Sequence, residues 1–158
     1  MKVDEYDRRI DLCGKAVAKA TEKLGLRCHF ASDYQGIEIR VDTETGIGKV
    51  IILMDTGHGP RFPKYVTLSV HGYVEKYINS KVNICSGGIA SSESKFLPDQ
   101  ISTKWLHDAI SKTASAIRSI CTIENMEKLK VEALALRRQA LKNSPLARYG
   151  STTLHIKD

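Results

Sequence analysis

The fold is decided by the stretch IEIRVDTETGIGKVIILMD, which occupies residues 37–55. Apolar and charged residues alternate from Ile37 to Val41, and this period of two predicts a half-buried strand. Thr43 to Gly48 has the composition of a turn, with two glycines. Lys49 to Asp55 is a nearly continuous apolar run, which is typical of a central strand covered on both faces. The stretch therefore predicts two neighbouring strands of a sheet.

Further strands are predicted on either side of this stretch. Leu26–Phe30 and Val66–Val70 alternate with period two, and Lys81–Cys85 has the composition of a short strand. Tyr73–Ser80 fits either a short helix or an outer strand. Ser86–Lys95 is rich in glycine and serine and is predicted to be a loop. Because the connections between strands are short, the sheet should be an antiparallel meander.

One helix is predicted before the strands, packed on the sheet, and a long helical segment after them either covers the sheet or mediates self-association. Apolar residues from Tyr6 to Leu24 recur at steps of three and four, which predicts a helix capped by Asp4 and ended by Gly25. A second helical segment contains no proline or glycine from Gln100 to Asn143, and Asp99 is its predicted N-cap.

Two apolar seams run along the C-terminal segment and are out of phase near Thr122 to Asn125. This pattern permits one continuous helix, or two helices with Thr122 as the second N-cap. We expect the first seam to join the core and the second to meet a partner. The second seam comprises Met126, Leu129, Ala133, Leu136 and Ala140.

We therefore predict a single α+β domain over residues 1–158. A helix and a sheet of four or five antiparallel strands occupy residues 1–98, and one long helix or two consecutive helices occupy 99–143. Residues 144–158 form a tail that could add a short strand.

Composition restricts the setting in which this chain works. The formal net charge is +6, and no apolar run approaches the roughly 20 residues of a membrane span. The four cysteines, at positions 13, 28, 85 and 121, lack the close spacing of zinc or redox motifs. Cys13, Cys28 and Cys121 fall on apolar stripes and are predicted to be buried thiols. These features favour a cytoplasmic protein without metal, cofactor or membrane contact.

One short motif has a catalytic counterpart. The string IILMDTG at residues 51–57 resembles the active-site turn of aspartic proteases, in which two aspartates share a proton and activate water. The resemblance covers seven residues, His58 stands where that family has a small residue, and the family's later hydrophobic-Gly-Arg segment is missing. His29 and His71 could meet across the sheet on its more polar face and, joined by Cys28 or Asp55, form a catalytic or metal site. Asp55, His58 and His71 are therefore candidate catalytic residues.

Cationic and glycine-rich segments are candidates for binding an anion. Two flexible segments and a basic stretch of the last helix could present amides, hydroxyls and positive charge to phosphate. Tyrosines beside lysines, and Arg27 with Arg40 on one sheet face, could also stack and hold a nucleic-acid strand. The candidate ligand-binding residues are His58, Arg61, Lys64, Gly87, Gly88, Ser91, Arg137, Arg138 and Lys142.

Three functions are consistent with these patterns. We expect a non-enzymatic, homo-oligomeric protein that binds nucleic acid or a nucleotide. The alternative is a protein-binding inhibitor or adaptor that acts through its long C-terminal helix. The third is a small hydrolase that uses Asp55 and His58.

Overall fold

The computed structural model describes residues 4–58, 62–79, 82–143 and 152–156. The elements follow one another as α1 (Glu5–Thr21), β1 (Arg27–Ala31), β2 (Gly36–Thr43), β3 (Gly46–Asp55), β4 (Val66–Asn79), β5 (Val82–Phe96), α2 (Thr103–Ile120), α3 (Ile123–Asn143) and β6 (Thr152–Ile156).

The six strands form one sheet in chain order. The first five are antiparallel neighbours, and β6 adds to the edge of β5 in parallel. This arrangement confirms the predicted α+β class and the antiparallel meander. It also confirms the short strand expected in the tail.

The helices cover one face of this sheet. α2 contacts β2 to β5, α1 packs on α2, and α3 contacts β5 and β6. On β3 the side chains of Val50, Ile52 and Met54 are buried, whereas Leu53 is exposed and Ile51 is half-buried. The prediction that β3 is covered on both faces is therefore wrong, because its apolar run has one face towards the helices and the other outside the core.

The predicted start of the N-terminal helix is confirmed, but the helix ends at Thr21, before the predicted end at Gly25. Asp4 caps α1 by accepting a hydrogen bond from the Tyr6 amide at 3.3 Å. The chain leaves the helix after Thr21 and turns at Gly25, whose φ of 62° is left-handed.

The C-terminal segment is two helices, so the second alternative is correct. The hydroxyl of Thr122 accepts from the Asn125 amide at 3.3 Å, as expected of an N-cap. The turn between β2 and β3 fixes the break, because Thr45 donates to the Cys121 carbonyl and Glu44 accepts from the Ile123 amide.

The prediction that Asp99 caps the first C-terminal helix is wrong. Residues 98–100 form a short 3-10 turn, and Ser102 caps α2 by accepting from the Trp105 amide at 3.1 Å. The Asp99 carboxylate instead accepts from Arg8 of α1 at 2.9 Å.

The prediction of a loop at Ser86–Lys95 is wrong, because these residues are part of strand β5. Tyr73 to Asn79 is part of β4, so a strand rather than a helix is correct there, although β4 lies between β3 and β5 and is not an outer strand. Irregular pairing accommodates the glycines, with register shifts around Gly72. A Cβ at Gly72 would lie 2.8 Å from Cβ of Ile89, so the close approach of the two strands requires glycine. Composition suggested a loop because bulged strands use the same residues as turns.

Candidate functional site

The loop after β3 holds three of the predicted site residues, and Arg61 lies outside the described residues. His58 is exposed and stacks on Tyr6 of α1, with ring centroids 4.7 Å apart. Lys64 is exposed, and its Nζ lies 5.4 Å from the centroid of the Tyr65 ring. Both side chains are therefore accessible at the end of the sheet where β3 ends and β4 begins.

Arg9 ties this loop to α1. Its guanidinium is buried and donates to the carbonyl oxygens of Thr56 at 3.3 Å and Pro63 at 2.9 Å. It also lies over the Phe62 ring and donates to Glu5 at 2.7 Å. Hydrogen bonds from Arg8 and Arg9 lower the pKa of the Glu5 carboxyl to about 2, so Glu5 stays ionised in the folded protein. Arg9 thus connects both ends of the loop, at Thr56 and Pro63, to α1.

Asp55 stabilises its own turn. Its carboxylate accepts from the Gly57 amide at 3.1 Å, an arrangement common where a strand ends in Asp-x-Gly. Among the described residues, no hydrogen bond joins the side chains of Asp55 and His58. The sheet is also open, unlike the β barrel that the protease resemblance implies.

His29 and His71 lie in one row on the uncovered face of the sheet but do not meet. Glu38 and Ile51 stand between them in the register, so three strand spacings, roughly 14 Å, separate the two histidines. Cys28 points to the opposite face from His29 because neighbouring residues in a strand alternate. The proposed pairing of His29 and His71 with Cys28 is therefore wrong.

The uncovered face carries charges of both signs. Arg27 and Arg40 are opposite each other in the register, as the sequence suggested. Arg27 lies 3.8 Å from the Asp42 carboxylate, and Lys49 lies 3.3 Å from that of Glu38. This face is thus not an unbalanced basic surface.

The glycine-rich candidate residues are in β5. Gly87 pairs with Tyr73 of β4, and Gly88 is the next residue of the strand, so their backbone is part of a strand and not of an open loop. Ser91 is exposed, and its hydroxyl lies 3.0 Å from Nδ1 of His71. The structure gives these residues a role in strand pairing.

The candidate residues of α3 are far from the loop after β3. Arg138 and Lys142 are exposed, whereas Arg137 is 8% exposed, on the face of α3 that packs on the sheet. α3 contacts β5 and β6 at the end of the sheet where β5 begins, and β4 spans roughly 45 Å from one end to the other. The predicted ligand-binding residues therefore do not form one site.

A groove between α1 and α2 gathers positive charge that the sequence analysis missed. We call it the lysine groove; its volume is about 390 Å³ and it is lined by Lys19, Ala20, Glu22, Lys23, Thr103, Lys104 and His107. Three ammonium groups and one carboxylate leave a net charge of +2 before His107 is counted. It lies beside the first turn of α2, which contains no acidic residue.

Ion pairing modifies the charge on one side of the lysine groove. Asp108 accepts a hydrogen bond from Lys104 at 2.8 Å, and this contact raises the pKa of Lys104 and lowers that of Asp108. The first backbone N–H groups of a helix have no intrahelical hydrogen-bond acceptor. Those of Thr103 and Lys104 therefore add positive electrostatic potential at this side of the lysine groove. The i, i+4 spacing of Lys19 and Lys23 was visible in the sequence. The predicted N-cap Asp99, however, placed an acid at the start of the second helix, whereas the first turn of α2 contains none.

The cysteines differ in exposure. Cys13 and Cys121 are buried as predicted, and burial raises the pKa of Cys13 to about 11 and also raises that of Cys121. Cys28 is exposed, so its predicted burial is wrong: β1 is an edge strand, where Phe30 is also exposed. The Cys85 side chain lies outside the described residues.

We expect iodoacetamide at pH 8 to alkylate Cys28 at least about tenfold faster than Cys13 and Cys121, because the thiolate must form and be accessible. Peptide mass spectrometry over time measures the three rates. Equal rates for Cys13 and Cys28 would contradict the packing of α1.

Comparison with protein-family models, curated proteins and solved structures gives no match to this chain. Within the described ranges, no three His, Cys, Asp or Glu residues are grouped so that they could hold a metal ion. The helices of the described part of the chain include none that is long and apolar enough to cross a membrane.

Proposed function

We propose that this chain is a non-enzymatic binding protein for a phosphate-bearing ligand, a nucleotide or a nucleic acid, and that the ligand binds in the lysine groove. The observation that supports this proposal is the convergence of Lys19, Lys23 and Lys104 on one groove at the start of α2.

The groove has the chemistry that a phosphate group requires. Ammonium groups and the N-terminal turn of a helix both attract anions. The Thr103 hydroxyl can donate a further hydrogen bond, and His107 adds a charge when protonated. A volume of about 390 Å³ lies within the roughly 300–1,000 Å³ of small-molecule sites, so it suits a nucleotide.

Replacing the three lysines with glutamine should weaken the binding of a nucleoside triphosphate by at least about tenfold, because each charged hydrogen bond contributes about 1.5–3 kcal/mol. Isothermal titration calorimetry measures the change. The matched control replaces Lys15, Lys112 and Lys128, which lie on the same helices or on α3 outside the groove, and should leave binding unchanged. Equal loss in both triple variants would contradict a specific site.

A parallel titration with a single-stranded oligonucleotide distinguishes the two ligand classes. Affinity for the oligonucleotide that falls steeply between about 50 and about 200 mM salt, with weak triphosphate binding, supports nucleic acid. Tight triphosphate binding that the groove variant abolishes supports a nucleotide. Failure of the wild-type protein to bind either probe would overturn the proposal.

We propose as a second candidate function that α3 recruits a protein. Its exposed side chains include those of Ile123, Val131 and Leu141, and apolar groups on a charged helix favour protein contacts. Under this alternative, replacing Val131 abolishes recruitment and leaves the lysine groove intact.

A further inference from the structure

Two faces of α3 carry apolar side chains, and only one of them packs on the sheet. Met126, Ala133 and Arg137 are buried where α3 contacts β5 and β6. The second seam, which the sequence analysis assigned to a partner, therefore contributes its buried members to the molecule's own packing. Val131 is 65% exposed and points away from this face.

Three of the exposed apolar residues, Ile123, Val131 and Leu141, lie on one line along the helix, whereas Leu136, which is 41% exposed, lies off it. We call this line the outer stripe; its members recur at steps of four, four, three, four and three residues, which keeps them on one side of an α-helix. They are Ile123, Glu127, Val131, Leu134, Arg138 and Leu141. Ile123 is 57% exposed and Leu141 is 43% exposed, while Leu134 is half-buried. The spacing is that of a seam between two packed helices.

The outer stripe carries its acidic residue and its basic residue in opposite halves of α3. Glu127 lies in the N-terminal half of α3 and Arg138 lies in the C-terminal half. Residues 133–143 contain three cations and no acid. Residues 123–132 contain three acids and two lysines, Lys128 and Lys130, which form exposed ion pairs with Glu124 and Glu127, so this half keeps a net charge of −1. A helix with this distribution complements an antiparallel copy of itself and repels a parallel one.

We propose that two copies of this chain associate through antiparallel packing of their outer stripes. Placing Val131 of one copy against Leu134 of the other brings Glu127 opposite Arg138 of the other copy, twice by symmetry. The same register places Leu141 beside Glu124 and Ile123 of the second copy. A parallel pair would instead put Glu127 against Glu127 and Arg138 against Arg138.

The interface between two outer stripes is small, and its area limits the affinity that we expect for the dimer. One pair of 21-residue helices buries less than the roughly 1,200 Å² typical of stable interfaces. The dimer should therefore be weak, with a dissociation constant in the micromolar range, and should dissociate on dilution.

Sedimentation velocity of the full chain from about 1 µM to about 500 µM tests the proposal. We expect a monomer–dimer equilibrium whose dissociation constant rises at least about tenfold in Val131→Lys, because the substitution places a charge in the centre of the seam. Glu132→Gln changes the net charge by the same +1 on the neighbouring, off-stripe position and should leave the equilibrium unchanged. Circular dichroism verifies that both variants remain helical.

Charge reversal tests the antiparallel register independently. Glu127→Arg alone and Arg138→Glu alone should each weaken the dimer, because each puts like charges opposite each other. The double variant should restore it. A wild-type chain that stays monomeric at all these concentrations would overturn the proposal, and so would a dimer that Val131→Lys does not weaken or a double variant that stays monomeric.

Discussion

Gly48→Ala is expected to destabilise the protein by about 1–3 kcal/mol, the range for overpacking a core. A Cβ at this position would lie 2.1 Å from Cγ2 of Ile117, a fully buried side chain of α2. Isoleucine on a helix has one strongly preferred rotamer, so the methyl group cannot turn away. The backbone of α2 must move off β3 instead.

A double-mutant cycle with Ile117→Ala identifies the contact. Ile117→Ala alone should cost about 2–5 kcal/mol through the cavity it leaves. Combined with Gly48→Ala it should cost less than the sum of the two, because the new methyl group occupies space that the isoleucine vacated. Urea unfolding of the four proteins measures this coupling, and strict additivity would contradict the packing described.

Gly14→Ala is a control that should change the free energy of unfolding in the opposite direction to Gly48→Ala. A Cβ at Gly14, within α1, would have no atom within 4 Å. The substitution should stabilise the protein by about 1 kcal/mol, since alanine favours helix more than glycine does.

Arg9→Ala is expected to destabilise the protein by about 2–4 kcal/mol. It removes the donor to the carbonyl oxygen of Thr56, a buried contact, and to that of Pro63, a part-buried one. A buried group left unpaired costs about 1–3 kcal/mol. The cation over the Phe62 ring is lost as well.

The neighbouring Arg8→Ala is the matched control for Arg9→Ala. Arg8 pairs with Glu5 and Asp99 but its side chain is 42% exposed, and exposed ion pairs contribute about 0–1 kcal/mol. Thermal unfolding compares the two variants, and hydrogen exchange of residues 55–64 locates the effect. Similar losses in Arg8→Ala and Arg9→Ala would contradict the role given to Arg9.

Periodicity predicted the elements that have a single regular face. The alternation in β2 and the stripe of α1 were sufficient for both, because local spacing reports directly on which side is buried. The phase slip near Thr122 indicated the break between α2 and α3. The start of β5 was predicted as the short strand Lys81–Cys85, but its continuation from Ser86 was missed. The glycines and serines there are accommodated by bulges and by contact with β4, which depend on tertiary packing.

The site could be predicted less well than the fold. Lys19 lies in the last turn of α1 and Lys23 in the turn that follows it, whereas Lys104 and His107 come from α2, about 80 residues later. Only the packing of α1 on α2 brings them together, and no local pattern encodes it. His29 and His71, in contrast, were correctly placed on one face, but the number of strands between them was set by the strand order.

The parallel pairing of β6 with β5 has a consequence for synthesis on the ribosome. Val82 pairs with Thr152, so 70 residues must be translated after β5 begins before its outer edge can be covered. During that interval the nascent chain presents an open strand edge, which is a template for pairing with other chains. Pairing of strands so far apart in the chain is also slow, because the loop-closure entropy is lost before the non-local contacts form. We therefore expect the nascent chain to be most prone to aggregation while α2 and α3 are being made.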